Sequence, residues 1–258
     1  MTTPPQLDLL AFAPHPDDVE LCCGGTLALL AKQGRSCGIV DLTEGELSTG
    51  GTVPIRREEA AKAAEVLGLT VRENLALPDG GLHLGADVTK QIAAVVAVLR
   101  RLRPRIVLLP HHHTRHPDHW SAHELVRRAV FLAGVKRFAP EAGEHKFHPD
   151  NVLLYHMRGV SNPQLVVDIS EVSEIKQRAI ACYASQLAPS SSAPNDQTLL
   201  NSGNAAESIE NRDRFYGSFI GARHGEPFTT TTMIGTNDPL SLLTAYPMTS
   251  AQFLPERF

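Results

Sequence analysis

Four short apolar runs, each followed by a stretch of helical spacing, limit the fold before any single residue does. Leu7–Ala13, Ser36–Leu42, Val71–Ala76 and Ile106–Leu109 have the length and composition of buried strands. Between them lie Val19–Gln33, ended by Gly34, and a stretch from Pro54 through Leu67, ended by Gly68. Asp87–Leu102 is a third helical stretch, and a fourth starts near His119 and runs to about Leu132. This alternation predicts a Rossmann-like, doubly wound, mostly parallel α/β sheet with right-handed crossovers and adjacent first and fourth strands.

After Gly134 the pattern loosens. Asn151–His156 and Leu165–Ile169 read as strands, and Val172–Cys182 and Ala205–Ile220 as helices. Leu187–Asn204 is rich in Ser, Pro and Asn and reads as a surface loop or lid. No repeat or linker divides the 258 residues, so one domain over 1–258 with a C-terminal elaboration is expected.

Composition narrows the partners. A formal net charge of -4 with both signs interspersed gives no nucleic-acid surface and no acidic tail. No apolar run approaches the roughly 20 residues needed to span a bilayer, and Met1–Gln6 has no signal-peptide pattern. The cysteines, Cys22, Cys23, Cys37 and Cys182, form no CxxC pair, and free thiols fit a reducing cytoplasm.

The chemistry concentrates in two clusters. Ala13-Pro-His-Pro-Asp-Asp-Val-Glu20 lies on the first strand-to-helix turn, and His116-Pro-Asp-His119 follows the fourth strand. In a doubly wound sheet the first and fourth strands flank the point where the chain reverses direction, and ligands bind outside their carboxyl ends. The fold therefore brings the two clusters together. A catalytic zinc takes three protein ligands and leaves one position open. His15 and Asp18, three residues apart on a turn that opens a helix, can converge on one ion, and His119 completes the set. Asp17 then reads as general base. His116 reads as the donor to the developing oxyanion and later to the leaving group, with Asp118 orienting His116.

These motifs resemble the PIG-L/LmbE family of zinc-dependent N-acetylglucosaminide deacetylases, over most of the chain. Asp41–Thr52 with Ile55–Ala60 is similar to the family's second-strand loop, and Asn74–Gly80 and Phe215–Phe228 resemble its bacillithiol-biosynthesis branch. The resemblance implies removal of acetate from N-acetylglucosaminyl malate, with chitobiose-like or other N-acetylglucosamine conjugates as the alternative. It implies His15, Asp18 and His119 as metal ligands, Asp17 as base, His116 as oxyanion donor and Asp118 as its partner. It further implies zinc as cofactor, although the same donors accept ferrous iron. A homo-oligomer, with a hexamer as one arrangement, is also implied. Arg56 falls where relatives place an arginine facing the site, and Glu46 and Arg115 become candidates for binding sugar or malyl carboxylate. Cys22-Cys23 departs from the small residues usual there.

Plainer readings stand beside these. His111-His112-His113 reads as a polar loop, because consecutive side chains diverge. Trp120 reads as a core anchor, and Gly50-Gly51 as a flexible loop without a phosphate-binding pattern. A nucleotide-binding module would need a glycine-rich loop after Ala13, and a structural zinc protein would need a fourth ligand.

Overall fold

The computed structural model describes residues 6–143, 146–157, 162–187, 200–201 and 204–246. Seven strands form one sheet: β1 (Leu9–Ala13), β2 (Cys37–Thr43), β3 (Val71–Leu77), β4 (Ile106–Pro110), β5 (Asn151–Tyr155), β6 (Leu165–Asp168) and β7 (Gly225–Thr230). Their order is β3-β2-β1-β4-β5-β7-β6. Pairings among β1 to β5 are parallel, and β7 runs antiparallel to both neighbours. The expected adjacency of the first and fourth strands is present, with Leu9 opposite Ile106 and Ala11 opposite Leu108.

Alternation along β1 supplies both faces of the sheet. Leu9, Ala11 and Ala13 pack with α1 (Asp18–Lys32), α2 (Val53–Leu67) and α5 (Ser173–Ala181). Leu10 and Phe12 pack with α3 (Val88–Leu102) and α4 (Pro117–Ala133) on the other side. Ile92, Val95, Val96 and Leu99 form the buried stripe of α3, at the spacing of one helical face. Each large apolar side chain so buried contributes about 1.5–3 kcal/mol. Short α6 (Ala184–Leu187), then α7 (Ala205–Ser218) and short α8 (Pro239–Thr244) complete the described helices. Most of the expected lid, 188–199 and 202–203, lies outside the described residues.

β7 was not expected as a strand. Gly225 and Pro227 interrupt its apolar pattern, yet Pro227 pairs only with Val166 of β6, because pairing with β5 begins at Phe228. The strand carries Glu226, and Glu226 explains the break in α1. Cys23 leaves helical geometry at φ -144°, ψ 20°. The freed N–H groups of Gly25 and Thr26 donate to the Glu226 carboxylate at 2.9 and 2.7 Å. Arg212 donates to the carbonyls of Leu21 and Cys22, the groups those N–H donors would otherwise reach, at 2.7 and 3.4 Å. Lys176, wholly buried, pairs with Glu226 at 2.7 Å and with Asp213 at 2.6 Å. A Cβ on residue 25 would stand 2.7 Å from Ile169 Cδ1, so this splice needs a glycine there. The Cys22-Cys23 departure thus sits at a break in the helix, beneath the carboxyl end of β1.

Candidate active site

Each carboxyl strand end near the reversal contributes a loop. β1 leads into His15–Asp18, β2 into residues 44–52, β3 into residues 78–87, and β4 into residues 111–116. Asp17 caps α1 with φ 119°, a conformation a non-glycine residue adopts at a cost of about 1–3 kcal/mol and one that concentrates at functional sites. His116 caps α4, accepting the Asp118 N–H on Nδ1 at 3.2 Å, and Pro117 starts the helix.

The expected ligands meet. Asp18 Oδ2 lies 3.2 Å from His15 Nδ1 and 3.3 Å from His119 Nε2. Donor atoms about 2.0–2.2 Å from one tetrahedral zinc stand about 3.3 Å from each other, and these two spacings match that value. His15, His116 and His119 also each place a ring nitrogen within 4.8 Å of the others. The outward nitrogens are held as ligating imidazoles usually are. His15 Nε2 faces Asp79 Oδ1 at 3.1 Å and Asp118 Oδ2 at 3.3 Å, and His119 Nδ1 faces the Thr114 hydroxyl at 3.3 Å. The His116 ring lies 4.9 Å from that of His15 and stacks on that of His119 at 4.8 Å.

Charge follows geometry. Burial opposes ionisation of Asp18, but His119 and His15 outweigh it and hold the carboxyl well below its usual range. Burial likewise works against Asp79, and His15 and the Leu47 N–H again prevail and lower it. Asp17 goes the other way: burial pushes it up to about 8, with Arg56 pulling it down and Asp18 pushing it further. Burial, aided by His119 and His15, lowers His116.

Three expectations change. The Asp118 carboxylate takes the Gly80 N–H at 2.7 Å and faces His15, leaving its backbone N–H to His116. Its place in the first turn of α4, behind the cap, turns the side chain toward the β3 loop. Arg56 is 4% exposed and donates to Pro16 O at 2.6 Å and Gly45 O at 3.2 Å, with Asp17 Oδ2 at 3.5 Å. The Gly-rich loop lays α2 under the β1 turn, so this guanidinium braces Asp17 and is not open to substrate. Trp120 is 45% exposed on α4 and anchors no core. Glu46 is exposed and accepts the Asp79 N–H at 2.8 Å, tying two rim loops together, while Arg115 is exposed beside His116.

Asp79 escaped the sequence reading because Pro78-Asp-Gly80 looks like any turn. Its position after a strand whose carboxyl end faces the rim was the available signal.

Fold and rim together define a doubly wound α/β protein with a cluster of His and Asp donors that could hold a cation at its switch point. Residues 10–130 match the family described as PIG-L, GlcNAc-PI de-N-acetylase. The diacetylchitobiose deacetylase of Thermococcus kodakarensis is 34% identical over 188 residues, 69% of either chain. A Bacillus cereus protein named as a probable N-acetyl-α-D-glucosaminyl L-malate deacetylase is 28% identical, over 69% of this chain and 83% of its own. The 4-oxalmesaconate hydratase of Pseudomonas putida is 30% identical, over 70% and 75%. The crystal structure of a conserved protein from Thermus thermophilus superposes with a TM-score of 0.78 at 36% identity, over 92% of this chain and 99% of that one. The chain belongs to the PIG-L family. Deacetylases of N-acetylglucosamine conjugates recur among its relatives, beside that hydratase. No described helix is long and apolar enough to cross a membrane.

Proposed function

We propose that this protein is a metal-dependent deacetylase that hydrolyses the N-acetyl group of a 2-acetamido-sugar conjugate, with N-acetylglucosaminyl malate as substrate. The observation that carries the reading is the convergence of His15 Nδ1 and His119 Nε2 on Asp18 Oδ2. His15, Asp18 and His119 would hold zinc or ferrous iron, neutral imidazoles and a carboxylate being acceptable to both. When bound, such an ion supplies Lewis acidity, polarising the amide carbonyl and acidifying the attacking water.

The chain's own residues do the rest. Asp17, buried beside the proposed ligands and braced by Arg56, takes a proton from the water. His116 accepts the Asp118 N–H on Nδ1, so its neutral ring carries the proton on Nε2, and that N–H donates to the oxyanion. Surrendering this single proton would leave an imidazolate. The departing amine is therefore protonated by the proton on Asp17, and His116 stays a hydrogen-bond donor, which revises the sequence expectation. Asp79 and Asp118 orient His15, and Thr114 orients His119. Arg115, exposed at the rim, would meet the malyl carboxylate.

Diacetylchitobiose is the second reading, favoured by the 34% identity to a deacetylase of that sugar. A homo-oligomer in the cytoplasm completes the proposal, the location resting on free Cys22, Cys23, Cys37 and Cys182. Acetate release from N-acetylglucosaminyl malate, N-acetylglucosamine and diacetylchitobiose tests it, with Asp17→Asn as control. Preference for the malyl sugar, lost in the control, supports the reading. Preference for chitobiose replaces the substrate, and no acetate from any of the three rejects deacetylation.

A further inference from the structure

The loop leaving β4 brings together imidazoles that the deacetylase site does not use. The expectation for His111-His112-His113 was divergence, and the backbone defeats it. The His113 N–H donates to His111 Nδ1 at 3.0 Å, curling the run back on itself, and an ion ligated by His111 would displace this bond. Ring centroids then lie 4.4 Å apart for His111 and His112, 4.2 Å for His112 and His113, and 5.3 Å for His111 and His113. One ring nitrogen from each of the three lies within 4.8 Å of the others. His123, from α4, brings its ring to 5.3 Å from His112.

We infer that His111, His112 and His113, with His123 beside them, form a second transition-metal site that takes a borderline divalent ion such as Zn2+. All-imidazole donors suit zinc, copper and nickel, and give hard ions such as Mg2+ little. His123 is prepared for ligation: Nδ1–H donates to Pro110 O at 2.9 Å, which leaves the Nε2 lone pair free for an ion. Metal binding needs uncharged rings. Burial, with neighbouring imidazoles adding, holds His111 at about 4 and lowers His112, so both are neutral at pH 7. His112 and His113 are exposed, which gives an ion an entry path. The run ends one residue before Thr114, whose hydroxyl meets His119 Nδ1. An ion here would fasten the root of the loop that delivers His116 and His119.

The inference is independent of the deacetylase reading, since it uses none of the residues assigned to that chemistry. Zinc chloride titrated calorimetrically into the chelator-treated full chain should reveal two classes of site. His112→Asn with His113→Asn, both at exposed positions, should lose one equivalent and keep the other, with an unchanged circular dichroism spectrum. Asp18→Asn should lose the other class and keep this one. In wild type, zinc should also protect His112 and His113 from diethyl pyrocarbonate, read residue by residue by mass spectrometry. One class in wild type, two classes retained by the double variant, both lost with the fold intact, or no protection of His112 and His113 would each overturn the proposal.

Discussion

Replacing Asp17 separates what this residue costs the fold from what it does for the chemistry. Its φ of 119° is held by the surrounding structure, with Arg56 braced against it and Leu21 N–H bonded to its carbonyl. Such a conformation costs a non-glycine residue about 1–3 kcal/mol. Asp17→Asn removes the ionisable carboxyl and keeps the strained backbone. Asp17→Gly removes both, at an entropic penalty of about 0.5–1 kcal/mol in the unfolded chain. Loss of the carboxyl is common to the two variants, so the glycine protein should be the more stable by about 1–2 kcal/mol. At about 2–4 °C per kcal/mol for a chain of this size, that is roughly 2–8 °C in Tm. The comparison is made on metal-free protein, because bound metal would add its own stabilisation. Both variants should lose about 10²–10⁴ in rate with metal restored. An asparagine variant as stable as the glycine variant, or more so, would refute the strain at residue 17.

Other expectations follow from particular contacts. Gly45 adopts φ +66°, and a Cβ there would overlap Arg56 Nη1. Gly45→Ala should therefore cost about 2–4 kcal/mol in urea denaturation, through the left-handed backbone and displaced guanidinium bonds, and should lower kcat with it. Glu226→Gln removes one of the two carboxylates facing buried Lys176, leaves Asp213, and puts an amide where the Gly25 and Thr26 N–H groups need acceptors. It should destabilise by about 1–3 kcal/mol. Burial lowers His156 to about 4, so between pH 6.5 and 4 the unfolded chain takes up a proton that the folded chain refuses. Its contribution is present above pH 6.5 and is lost as pH falls, by up to about 1.4 kcal/mol per unit. Urea midpoints of His156→Asn should fall less steeply over that window than those of wild type; parallel curves would refute the assignment.

The first four strands were legible because each is a short apolar run followed by a helical stretch, and adjacency of the first and fourth followed from connection rules. That adjacency predicted the meeting of His15 and Asp18 with His119, some hundred residues away in sequence. What escaped depends on contacts between distant segments. β7 hides behind Gly225 and Pro227, because only the register of its partners shows where a missing N–H is harmless. Asp79 reads as a turn residue until the fold sets its carboxylate against His15. Arg56 and Asp118 were placed at the site, but which way each side chain turns is decided by loops whose paths no periodicity records. The buried Lys176, Asp213 and Glu226 lie far apart in sequence and are united only by packing.

The central claim is that the rim at the ends of β1 and β4 hydrolyses an acetamide with a metal held by His15, Asp18 and His119. The most direct test is acetate release from a 2-acetamido-sugar conjugate by chelator-treated protein as zinc is returned, for wild type and Asp18→Asn side by side. The account predicts no acetate without metal, recovery in wild type on adding zinc, and no recovery in Asp18→Asn with its fold intact. Acetate released at an undiminished rate by the metal-free protein, or equal recovery in Asp18→Asn, would contradict it.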